Sequence, residues 1–227
     1  MSPEVLSVIL LTLQVATVST LLVLLPATVL GYVLARYEFY GKTVLSALVG
    51  LPLVLPPTAV GFLLLRLFAV DGPFGRETLG FDLSILLTWK GAVIATATMS
   101  LPLVARTARA TFEGINPRLE LMAHTLGHGR LATFFQYSLP MARRGLLGAV
   151  ILGFTRAMGE FGATVTIAGN IPGRTQTIAA AIFSAQQVGA QARADFLMLV
   201  AIVLGFLAIL SAELLGHGRS LPRLARP

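Results

Sequence analysis

The stretch ELMAHTLGHGRLATFFQYSLP, from Glu120 to Pro140, is a polar segment flanked by arginines and set between two hydrophobic tracts. Asn116-Pro117 just ahead of it is a helix start, an asparagine N-cap followed by proline at the first helical position, where a missing N–H costs nothing. From there Leu119, Met122, Ala123 and Leu126 recur at i, i+3, i+4 and i+7 as one apolar stripe, while Arg118, Glu120 and His124 face elsewhere. Gly127 supplies the stop. A second short helix is expected from about Arg130, with Leu131, Phe134 and Phe135 as its own stripe, ending at Pro140. Two short amphipathic helices hinged at a glycine make a knuckle over 116–140. Such a knuckle either lies on a lipid surface or plugs into a groove of another protein.

The sequence around the knuckle belongs in a bilayer. Of 227 residues, 56% are hydrophobic and 12% charged, and the mean hydropathy is +0.83, values that suit an integral membrane protein. A spanning helix needs about 20 apolar residues. Charge-free runs extend from Val5 to Ala35, Thr43 to Leu65, Gly91 to Ala105, Gly145 to Thr155 and on through Ile171, and Phe196 to Ala212. The fourth contains Arg156 and Glu160. No alternation of the outer-membrane barrel kind appears, so the fold class is all-α, a polytopic membrane protein of about five spans forming one domain over 1–227. Pro26, Pro52, Pro56, Pro57 and Pro102 fall inside the spans and are expected to kink them.

Positive charge sets the orientation. Arg36 and Lys42, six arginines from Arg106 to Arg144, and Arg219, Arg223 and Arg226 together place eleven of the seventeen basic residues on one side. By the positive-inside rule that side is cytoplasmic, with the N-terminus outside and the C-terminus inside. The net charge of +7 reads as topology-setting charge beside anionic lipid. It carries no aromatic-basic stacking pattern, so nucleic acid is not an expected partner. The outer loops contain the turn-forming Asp71-Gly72-Pro73 and GNIPGRTQT, and the second, Gly169 to Ala194, is expected to be an ordered cap.

Few residues offer chemistry of their own. Gly41-Lys42-Thr43 has Arg36 where a phosphate-binding loop needs glycine, and Gly127-His128-Gly129 lacks a βαβ setting. His124 and His128 have metal-ligand spacing, but Gly127 interrupts them; a polar interface role is expected. With zero cysteines, thiolate metal sites are excluded. Arg156 and Glu160 are the exception. An ionised residue at the bilayer centre costs about 2.5–3.5 kcal/mol, so it is paired or faces a cavity. At i, i+4 these two can meet, either as a pair fixing helix register or with Arg156 lining the path of an oxyanion. In the second reading Gly159 and Gly162 permit close helix contact, and Thr164, Thr166 and Asn170 continue outward as hydrogen-bond donors.

Gly127 and the Leu139-Pro140 pair have the spacing of the EAA loop in permease subunits of bacterial ABC importers, which this segment resembles. RAMGEFGATVTIAGNIPGRTQT, from Arg156 to Thr177, is similar to the corresponding stretch of molybdate importer permeases, and the likeness extends from SLPLVARTAR at Ser100 to Arg109 onward. In the box itself Leu121, Met122 and Ala123 occupy the Glu-Ala-Ala positions, with Glu120 one residue earlier. The resemblance implies an ABC importer type I permease. Pro117, Glu120, Met122, Ala123, Leu126, Gly127, Phe134, Leu139 and Pro140 would form its ATPase-coupling element, and Arg156 to Asn170 its pathway. It further implies a homodimer in the bacterial inner membrane. Its partners would be ATPase subunits and a periplasmic molybdate-binding protein, with ATP and Mg on the ATPase and no cofactor or enzyme activity on this chain. Tungstate is the expected co-substrate. A sulfate permease, an ATP-independent anion channel or carrier, and a respiratory anchor subunit are the alternatives.

Overall fold

A computed structural model describes residues 3–216, and Arg219, Arg223, Arg226 and His217 lie outside the described residues. The chain begins with α1 (Pro3–Arg36), α2 (Lys42–Val54), α3 (Pro57–Phe68) and the single turn α4 (Arg76–Leu79). The long α5 (Trp89–Glu113) follows, then α6 (Pro117–Thr125) and α7 (Arg130–Thr133). A π-helical turn, Phe134–Ser138, leads into α8 (Leu139–Met158), after which come α9 (Gly162–Ala168), α10 (Ile178–Gln187) and α11 (Gln191–Gly216). No strand occurs among the described residues.

Three helices, Glu4–Arg36, Trp89–Glu113 and Gln191–Ser211, are each long and apolar enough to cross a membrane. The other two expected spans are broken. The α2–α3 pair bends by 111° and the segment Arg130–Met158 bends by 62° against α9, so five crossings result when each pair counts as one. The first break follows from Pro56-Pro57. Proline pushes its predecessor out of the α region, and Leu55 (φ −72°, ψ 144°) and Pro56 (φ −54°, ψ 134°) are both extended. A kinked single helix was expected there; two prolines in succession give a corner instead. By contrast Pro26 and Pro102 sit inside continuous helices.

α5 is the most buried of the three unbroken spans and α11 the least. α1 and α8 pack against α5 and against each other, α3 and α9 pair beside it, and α11 lies on α8 and α10. Small residues allow this. Ala27, Ala97, Ala105 and Ala149 form a core with Val23 and Val104, and a side chain at Gly31 would come within 2.7 Å of Ala108 Cβ. Buried hydroxyls bond back to their own helices, Thr20 to the Ala16 carbonyl, Thr96 to Ala92 and Ser100 to Thr96, as does the half-buried Thr111 to Thr107. Among the described residues no buried side-chain polar atom lacks a partner. Thr12 joins two elements, donating to the Val8 carbonyl and accepting from the Ile178 amide at 2.9 Å.

The ordered cap expected over Gly169 to Ala194 is built around a helix, α10. Thr177 caps α10 through the Ala180 amide, and a turn with Gly173 at φ +72° precedes it.

Candidate functional site

The knuckle forms as two halves hinged at Gly127, whose φ of +88° only glycine adopts freely. Asn116 Oδ1 accepts from the Arg118 amide at 3.0 Å with Pro117 at the first helical position. The helix after the hinge, however, does not end at Pro140. Leu139 and Pro140 follow the π turn without a break in the helix: the Leu139 amide bonds to the Phe134 carbonyl, and the proline, which has no N–H to give, is carried inside the helix as the chain passes through the π turn into the span. The knuckle is therefore welded to α8.

Its inward face is set by a carboxylate rather than by the apolar stripe. Glu120 is 9% exposed and Ala123 2%, while Leu119, Leu121, Met122 and Leu126 are exposed, the last at 76%. Glu120 Oε1 accepts from Arg36 Nε at 3.0 Å and from Ser138 Oγ at 2.7 Å, and Arg36 Nη2 also donates to the Ile115 carbonyl at 3.0 Å. One carboxylate thus ties together the end of α1, the helix α6 and the π turn. Phe134 also points inward, against Tyr32 at 4.6 Å, whereas Leu131 and Phe135 are exposed. His124 and His128 do not share a helix face. His124 Nδ1 lies 2.9 Å from the His128 carbonyl and His128 Nε2 3.1 Å from Tyr137 Oη, so both stitch the knuckle together. No metal-binding cluster occurs among the described residues.

The two broken spans meet at their breaks. A side chain at Gly162 would lie 2.9 Å from Pro57 Cβ, and one at Gly61 would lie 2.8 Å from the Ala163 carbonyl oxygen. α3 and α9 are locked face to face by these two glycines. Arg156 Nη1 pairs with Glu160 Oε2 at 2.7 Å, and Glu160 Oε1 accepts from the Ala163 amide at 3.0 Å. Glu160, 2% exposed, therefore closes α8 with one oxygen and caps α9 with the other. The Arg156 side chain remains 30% exposed, a cation held at the bend with part of its surface open.

The outward row of donors is not free. Thr164 is buried and donates to the Phe161 carbonyl, and Thr166 donates to Gly162. Asn170 donates to Ser184 Oγ and accepts from Gln176 within the outer cap. Gly159 makes no close helix contact, its nearest surroundings being carbonyls of its own turn at 4.0 Å. Of the expected pathway residues, Arg156 keeps exposed polar surface while Thr164 is enclosed, because threonine in a helix satisfies itself on the preceding turn. Arg36 and Ser138 escaped the sequence reading. Arg36 counted only as topology-setting charge, and no spacing rule links positions 36, 120 and 138.

The fold is thus a bundle of unbroken and broken apolar helices with a knuckle at one end. Residues 27–219 match the family described as binding-protein-dependent transport system inner membrane component, and the chain belongs to that family. It is 42% identical over 209 residues to the molybdenum transport system permease protein ModB of Haemophilus influenzae, covering 91% of each chain. It is 38% identical over 182 residues to the sulfate transport system permease protein CysT of Salmonella typhimurium, covering 80% of this chain and 66% of that one. Among solved structures, it shares the fold of a chain in the bacterial alginate ABC transporter in complex with an alginate pentasaccharide-bound periplasmic protein. That match has a TM-score of 0.76 at 17% identity, covering 96% of this chain and 80% of that one. The chain is a multi-pass membrane transport permease of the ABC importer kind.

Proposed function

We propose that this chain is the permease of an ATP-driven importer that carries molybdate, with tungstate as co-substrate, across the bacterial inner membrane by alternating access. The observation that carries the substrate is the likeness to the Haemophilus molybdenum permease over nine-tenths of both chains. The sulfate relative, matched over a smaller share of its own length, makes sulfate the second reading. Two copies form the pathway near the dimer axis, a periplasmic molybdate-binding protein delivers the anion, and ATP and Mg are held by ATPase subunits on the cytoplasmic side. The N-terminus lies outside and the C-terminus inside. The chain binds no cofactor itself.

The exposed Leu121, Met122 and Leu126 supply the apolar surface that enters an ATPase groove, with Gly127 as the hinge that presents it. Because α8 continues from the knuckle to the bend at Met158, displacement of the knuckle moves Arg156, and Gly162 passes that motion to α3. Glu120 acts as a positioning residue that holds α6 to α1. Arg156 offers the anion one cation, and Glu160 keeps that cation partly neutralised so that the anion leaves. Thr164, Thr166 and Asn170 hold the outer half in shape rather than contact the ion.

The test is uptake of labelled molybdate into proteoliposomes holding this chain with its ATPase and binding protein. ATP-dependent uptake competed by tungstate and not by sulfate is expected. Uptake abolished by sulfate but unaffected by tungstate overturns the molybdate reading, and uptake by this chain alone overturns the importer mechanism.

A further inference from the structure

An open cleft of about 560 Å³ runs between α1 and α8 beside the knuckle, lined by Leu21, Leu25 and Val29 on one side and Leu146 and Leu147 on the other, with Phe135 at its foot. Arg143 stands in its wall. A second cleft of about 260 Å³ shares Leu21 and Val150 with the first and continues to Phe154 and to Ala208 of α11. The two make one track along the helix from Phe134 to Phe154, with Arg143 between its ends and the stretch from Arg143 to Phe154 leading away from the knuckle. At about 1.5 Å per residue the stretch from Arg143 to Phe154 is roughly 16 Å long, close to half of a hydrocarbon core of about 30 Å. Leu21, Leu25 and Leu147 are exposed along it. The five ion pairs among the described residues are Arg36–Glu120, Lys42–Glu38, Arg109–Glu113, Arg156–Glu160 and Arg193–Glu4, none of which involves Arg143. Among the described residues the Arg143 side chain has no hydrogen-bond partner either.

An apolar track that runs one leaflet's depth away from an unneutralised arginine, with the knuckle's aromatic rings on the arginine's other side, has the shape and charge of a single ligand class. We propose that it is a binding site for an anionic phospholipid of the cytoplasmic leaflet, with an acyl chain between α1 and α8 and the headgroup phosphate on Arg143. The length match selects a lipid over a soluble anion, and the free cation selects an anionic headgroup over a zwitterionic one, as basic pockets at the cytoplasmic face do. Phe134 and Phe135, at the foot of the track, belong to the π turn of the knuckle. The lipid therefore also buttresses the coupling element. Placement in the cytoplasmic leaflet rests on the proposed orientation; the length and charge of the track do not.

The test is native mass spectrometry of the complex of this chain with its ATPase, released from detergent with added phosphatidylglycerol or phosphatidylcholine. Phosphatidylglycerol should be retained at least tenfold more strongly than phosphatidylcholine. Arg143→Ala should erase that preference, and Leu147→Trp, which fills the track, should remove both lipids. Unchanged phosphatidylglycerol retention in both variants overturns the site. So does disulfide cross-linking between two copies carrying Leu25→Cys and Leu147→Cys, which would mean that a second copy fills the cleft. Since the chain has no cysteine, Arg143→Cys can be probed alone with an impermeant thiol reagent in oriented vesicles. Labelling from outside overturns the assignment to the cytoplasmic leaflet and the proposed orientation while leaving the retention result to decide the lipid site. Molybdate uptake is measured separately, so a failed substrate reading is distinguishable from either.

Discussion

Replacing Glu120 with alanine removes the acceptor shared by Arg36 and Ser138 and should release the knuckle without unfolding the bundle. Glu120 and Arg36 have side-chain exposures of 11% and 10%, so the pair lies within the buried class, where removal of one partner costs about 3–5 kcal/mol. Arg36 retains its bond to the Ile115 carbonyl, which puts the expected loss near the lower limit, about 3 kcal/mol. At about 1.4 kcal/mol per tenfold, the population with α6 detached rises on the order of 100-fold. Hydrogen exchange of the transporter in lipid nanodiscs reads this directly, because local opening sets amide protection. Faster exchange is expected over 117–127, where α6 and the hinge lie, with α5 unchanged. Met122→Ala, on the exposed face, is the control and should leave exchange as it was. If Glu120→Ala changes exchange over 117–127 by less than about threefold, the energetic assignment is wrong. If it changes exchange in α5 equally, the carboxylate stabilises the whole bundle rather than the knuckle.

Other perturbations separate the remaining parts. Gly127→Ala meets no neighbouring atom and should cost about 1–2 kcal/mol through its positive φ alone, whereas Gly127→Pro also loses the amide bond to the His124 carbonyl and should abolish co-purification with the ATPase. Gly61→Val drives a side chain into the Ala163 carbonyl; uptake should fall at least tenfold while dimer yield on gel filtration is retained. Glu160→Gln can still cap α9 but leaves Arg156, 30% exposed, without its counter-charge, so transport should weaken and thermal stability should fall modestly. Glu160→Ala loses the cap as well and should lower both; equal melting temperatures for the two variants would remove the capping role.

Elements encoded by local chemistry were legible in the sequence, and those made by distant contacts were not. The Asn116 cap, the Pro117 start and the Gly127 stop are each decided within a few residues. The five spans follow from apolar length alone. The corner at Pro56-Pro57 was visible as proline but not as 111°, because whether a helix kinks or turns depends on what receives the departing half, here α9 through Gly61 and Gly162. The inward turn of Glu120 had no local signal either: periodicity gave α6 an apolar stripe, and Arg36, 84 residues earlier, reversed which face is buried. For Thr164 and Thr166 the sequence supplied a row of donors, and the helix itself consumed them.

The hydroxyls of Thr20, Thr96, Ser100 and Thr111, each bonded to a carbonyl one turn back, bear on how freely the spans can shift. A polar group satisfied within its own helix carries its partner along when that helix translates or tilts. The seam between α1 and α5, close-packed through alanine, valine and glycine, is therefore one where movement breaks no hydrogen bond at these sites. The hydrogen bonds that do tie α1 to other elements lie to either side of that seam, from the Ile178 amide to Thr12 and from Arg36 to Glu120 and Ile115, and these are the bonds that a shift of α1 would have to carry along or break.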